Sequence, residues 1–173
     1  TSDSYLFPPV AIFDIHQDKQ GTYWFSTQEG VRKLSLHLDK FSWLKADPDE
    51  PNSLSFNKVL TIHQDKDGLI WLATDGGGLY CIYDAPFTNY SLKNGLKNTF
   101  VHDISENQNG EILAGTKKGL FKLTNEKWTE KRLNILYDDI EIWQFRQTSK
   151  KEIILSSNLG IFRYDDDFKL CIP

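Results

Sequence analysis

Methionine is absent from this 173-residue sequence, cysteine occurs only twice, and no apolar run approaches the roughly 18 residues a membrane-spanning helix needs. Thr1 to Pro9 lack both the basic start and the apolar core of a secretory leader. The missing methionine fits excision from a longer protein. Cationic excess is missing too: a formal net charge of -4 argues against nucleic acid as a partner. Long helical periodicity occurs nowhere. There is no Gly-x-Ser-x-Gly elbow, phosphate loop or Cys-x-x-Cys pair, so no catalytic residue and no cofactor is expected. Cys81 and Cys171 are either two buried free thiols or a mutual disulfide.

With 39% hydrophobic and 25% charged residues, the chain is globular and long enough for one well-buried core. Its organising feature is a repeat. Gly21, Gly68 and Gly110 stand 47 and 42 residues apart, and Lys151 takes the next equivalent place 41 further on. Trp24, Trp71, Leu113 and Ile154 keep those spacings, as do Thr27, Thr74, Thr116 and Ser157. A period in the forties with strand-like content is what a four-stranded propeller blade requires.

Each repeat divides into four short apolar runs, which in the second are 58–65, 69–74, 78–83 and 87–91. The expected fold is therefore all-β: β-propeller blades, four repeats of four antiparallel strands, forming an incomplete propeller. The blades fall at about 10–44, 57–91, 99–132 and 139–172. The first hairpin turns at Asp18 to Gly21, Asp65 to Gly68 and Asn107 to Gly110, where glycine takes the positive-φ place. Thr148 to Lys151 lacks that chemistry and predicts a strained or differently shaped turn. The strand before each turn carries an apolar pair three residues apart: Ile12 and Ile15, Val59 and Ile62, Val101 and Ile104, Ile142 and Phe145. That spacing conflicts with alternation and calls for a bulge or for crowding of an innermost strand from both sides. Trp24 and Trp71 read as packing residues between neighbouring blades.

The loops between second and third strands, with the links between blades, should share one face. That face presents Gln28, Glu29, Asp75, Lys117, Lys118 and Asn158, amides and charges that suit a polar ligand or partner and equally suit solvated turns. His16 and His63 recur at one repeat position and read as scaffold; with His102 they lack the further ligands a metal needs. Asp65-Lys-Asp67-Gly68 has too few oxygen ligands for a calcium loop. No metal is expected.

The pattern Asp65-x-Asp67-Gly68-x-x-Trp71-x-x-Thr74-x-Gly-Gly77-Gly78-Leu79 resembles the two-component regulator propeller repeat. The second copy is closest, the first and third are good, and the fourth keeps the apolar frame and Gly160. The resemblance implies the sensor ectodomain of a hybrid histidine kinase: a periplasmic, non-enzymatic module, with a possible oligosaccharide as ligand. A propeller enzyme such as a metal-dependent lyase or lactonase, and a purely structural dimerisation arc, are the alternatives. Four blades without a spare closing strand leave three arrangements: an open arc, two chains joined at their open ends, or a small ring closed by side-chain packing. The expected partners are accordingly the remaining blades or a second copy of the chain.

Overall fold

In the computed structural model, residues 9–35, 40–50, 53–82, 87–131, 139–149, 152–164 and 169–170 are described. Four antiparallel sheets follow one another, each a four-stranded meander in chain order. The first contains β1 (Ile12–Gln17), β2 (Tyr23–Thr27), β3 (Gly30–Ser35) and β4 (Lys40–Leu44). The second contains β5 (Val59–Gln64), β6 (Ile70–Thr74), β7 (Leu79–Ile82) and β8 (Thr88–Tyr90). β9 (Val101–Glu106), β10 (Ile112–Thr116), β11 (Gly119–Thr124) and β12 (Lys127–Lys131) make the third. β13 (Ile142–Gln147), β14 (Ile153–Ser157), β15 (Gly160–Tyr164) and β16 (Lys169–Leu170) make the fourth. The inner strands β1, β5, β9 and β13 touch in that order, so the sheets radiate from one side as propeller blades.

Side-chain chemistry at two turns explains why each repeat folds alike. At the first turn Asp65 accepts from the Leu69 amide at 2.9 Å and from the Trp71 indole at 2.8 Å. Asp18 treats Thr22 and Trp24 in the same way, at 2.8 and 2.7 Å. Where the indole is replaced by Leu113 the acid is replaced by Asn107, which keeps the backbone bonds to Asn109 and Glu111. Thr148 in the fourth blade still accepts from the Glu152 amide at 3.2 Å; the expected distortion concerns Lys150 and Lys151, outside the described residues. At the second turn the hydroxyls of Thr27, Thr74, Thr116 and Ser157 each donate to a glycine carbonyl, at 2.7–3.0 Å. Gly78 there has φ +83°, and a Cβ on it would stand 2.2 Å from the Tyr90 carbonyl oxygen. Only glycine allows that approach of the fourth strand.

The apolar pairs three residues apart are explained by a bulge on each inner strand. Pairing shifts between Ile12 and Asp14, between Val59 and Thr61, and between Ile142 and Gln144, with the matching shift opposite Gly115 in the third blade. The bulge turns both members of the pair towards the preceding blade. Thus Val59 and Ile62 pack with Trp24 and Val31; Val101 and Ile104 with Trp71 and Leu79; Ile142 and Phe145 with Leu113 and Leu120. Trp128, on an outer strand, joins the second of these joints edge-on to Trp71, with ring centroids 6.2 Å apart.

The ends of the arc differ from its joints. Ile12 and Ile15 are 42% and 59% exposed, whereas their counterparts in the other three blades are at most 5% exposed. Ile161 is 52% exposed, whereas Val31, Leu79 and Leu120 at its repeat position are fully buried. The propeller is incomplete, an open arc rather than a small closed ring.

Candidate functional site

The turns that carry the six residues expected on the loop face are each stitched to the segment that precedes their blade's inner strand. The amides of Gln28, Asp75, Lys117 and Asn158 donate to the carbonyls of Ala11, Lys58, Phe100 and Glu141, at 3.0–3.2 Å. Most of their side chains are already engaged. Asp75 is ion-paired with Lys58. Glu29 pairs with Lys45 at 3.3 Å. The Lys117 ammonium lies 5.6 Å from the centre of the Phe100 ring. Asn158 accepts from the Glu141 amide at 2.8 Å and donates to the Asp139 carbonyl at 3.2 Å, which makes it a clip between turn and link. Gln28 and Lys118 sit exposed at turn tips. These residues line a stitched rim; none of the cavities described below contains them.

A polar groove of about 440 Å³ runs along the inner strands. Its first tier is Phe13, Leu60, His102 and Trp143, one from each blade, and its second is Asp14, Thr61, Asp103 and Gln144. The second tier carries blade-to-blade clamps. Asp14 accepts from the Ile62 amide at 2.9 Å and the Thr61 hydroxyl at 2.8 Å, both in the next blade. Asp103 accepts from the Phe145 amide of the next blade at 2.7 Å and from the Ile104 amide at 2.9 Å. Burial pushes the Asp103 carboxyl up to about 6, against the pull of those two amides and of Arg146; the charge of Asp14 adds to the rise. A second cavity of about 450 Å³ lies at the first inter-blade link, beside Trp43, Lys45 and Phe87.

His102 bonds through Nδ1 to the Ile142 carbonyl at 3.1 Å, and its Nε2 lies 3.7 Å from Glu141. It occupies the Phe13 place, not the place shared by His16 and His63. Burial lowers the pKa of His63, with Asp65 opposing and His16 adding to the fall. Among the described residues no three His, Cys, Asp or Glu side chains gather as a metal site. Burial and the Asp65 charge push the Cys81 thiol up to about 12, and Cys81 is free. His37, Cys171 and Asp165 to Asp167 lie outside the described residues. Nothing in the repeat marks Phe13, and Trp143 stands outside the packing position of Trp24 and Trp71, a weaker candidate for core packing or sugar stacking; what the two share is position, one place beyond the first apolar residue of their inner strands.

Four-stranded blades radiating around an axial groove define a β-propeller. Residues 6–29 and 53–76 match the family model described as two component regulator propeller. No curated protein matches the sequence. Among solved structures, the fold resembles the extracellular domain assigned as a one component system of B. thetaiotaomicron, with 18% identity and a TM-score of 0.76, over 99% of this chain and 24% of that one. It also resembles the extracellular domain assigned as a hybrid two component system of the same organism, with 17% identity and a TM-score of 0.69, over 98% and 30%. Virginiamycin B lyase from Staphylococcus aureus shares the fold at 16% identity and a TM-score of 0.72, over 94% and 56%. The chain spans about a quarter to a third of the length of the two ectodomains.

Proposed function

We propose that this chain is part of the propeller of an extracytoplasmic sensor, a non-enzymatic module that binds a ligand or partner and passes the event on through a larger receptor. The observation carrying this reading is the repeat match at 6–29 and 53–76, in a fold that follows the extracellular domains of a two component and a one component system along nearly its whole length. The likeness to extracellular domains supports a place outside the cytoplasm, and we assign it to the periplasm. The exposed Ile12, Ile15 and Ile161 support docking of further blades, or of a second copy, at the ends of the arc. Oligosaccharides are the ligand class we assign, on the sequence resemblance.

Signalling demands that the ligand prefer one receptor state over another. The test is thermal unfolding of the full-length ectodomain with and without oligosaccharides, since a ligand that binds the native state raises the melting temperature. A saturable rise supports direct sensing; no change in melting temperature or association state with any of them overturns it. The likeness to virginiamycin B lyase favours one second reading, a propeller enzyme with an axial metal. A stoichiometric metal in the purified chain, lost on His63→Ala and His102→Ala, would establish that reading instead.

A further inference from the structure

Phe13, Leu60, His102 and Trp143 occupy one repeat position, and all four line the axial groove. Phe13 stays 42% exposed although another blade follows it, and Trp143 is 49% exposed. The position opens onto the groove, and at Phe13 the Lys58 ammonium of the next blade stands 5.7 Å from the ring centre. These two rings stand on the first and last inner strands, with polar groups between them. Half-open aromatic faces in a concave, polar groove gain by stacking on a ligand that has an apolar face of its own. The carboxylates of Asp14 and Asp103 are turned to backbone amides of the neighbouring blade. The Gln144 amide and the His102 ring supply donors and acceptors, and the Thr61 hydroxyl, which donates to Asp14, remains an acceptor. A flat ring with apolar faces and a hydroxylated edge meets both demands, and a volume of about 440 Å³ accommodates one or a few such rings.

We propose that the axial groove is a saccharide-binding site, with a sugar face stacked on Trp143 or Phe13 and its hydroxyls bonded to Gln144, Thr61 and His102. This rests on the sensing reading above and moves its site from the loop face to the axis. Calorimetric titration of the chain with short oligosaccharides from starch, xylan, pectin and chondroitin tests it, in wild type, Trp143→Ala, Phe13→Ala and the loop-face variants Asp75→Ala and Lys117→Ala. Both aromatic residues are half-exposed, and circular dichroism checks that their variants fold. The expected result is binding of at least one sugar, weakened roughly tenfold or more by Trp143→Ala and unchanged by the loop variants. Binding that survives both aromatic substitutions but is lost in the loop variants overturns the groove and leaves sensing intact. Absence of binding to every sugar overturns the groove as well, and the ectodomain unfolding test then decides sensing separately.

Discussion

Asp65 and Trp71 show how one side chain can serve turn and core together. One carboxylate oxygen holds the Leu69 amide of the hairpin, and the other holds the indole that fills the joint with the third blade. Asp65→Ala should cost about 1–3 kcal/mol in urea unfolding, since a buried indole N–H then loses its acceptor. In a Trp71→Leu background that cost should shrink, as the natural pairing of Asn107 with Leu113 implies; equal costs in both backgrounds would refute the coupling. Asp103 makes a second residue-scale claim. Its carboxyl is raised to about 6 from an ordinary 3.8, so the folded chain binds this proton more tightly than the unfolded chain. The group therefore costs stability on the order of 3 kcal/mol at neutral pH, a penalty that grows as pH rises from about 4 to about 6 and is relieved as pH falls. A carboxyl NMR titration should show its midpoint near 6, and Asp103→Asn should flatten the pH dependence of unfolding over that window. Cys81, pushed up to about 12, should react with a thiol reagent only on unfolding in a Cys171→Ser background.

The hairpin between second and third strands is the element that recurs most faithfully. At its first position the turn requires only a hydroxyl, which is why Ser157 serves as well as Thr74. Thr74→Ser should be nearly neutral, while Thr74→Val should cost about 1–3 kcal/mol by leaving the Gly77 amide and the buried Gly78 carbonyl short of a partner. Melting curves of the two variants would separate these outcomes. Such turns were legible in the sequence because their chemistry is local: an oxygen, a glycine and a fixed spacing. The inner-strand bulge was visible only as a violated alternation. The groove was not legible, because its facing position holds Phe, Leu, His and Trp in turn and offers no repeated residue type. The loop residues drew attention through polarity, yet Asn158 and Asp75 prove to be engaged in tying the turns and links together.

At the scale of the whole molecule, stability is a sum over joints between neighbouring blades, as in other quasi-one-dimensional repeat folds. Each of the three joints among the described residues buries an apolar pair from the inner strand of the following blade, whereas the corresponding pair of the first blade, Ile12 and Ile15, is exposed. Composition could not reveal this, since Ile12 and Ile15 carry the same pattern as their buried counterparts. The exposed end faces support the reading of this chain as part of a larger propeller. The most direct measurement is equilibrium unfolding of Ile62→Ala beside Ile15→Ala in this chain. An open arc predicts a cost of about 2–5 kcal/mol at the buried Ile62 and within about 0.5 kcal/mol at the exposed Ile15; equal, large costs at both would mean that the first blade is covered and would contradict the open arc.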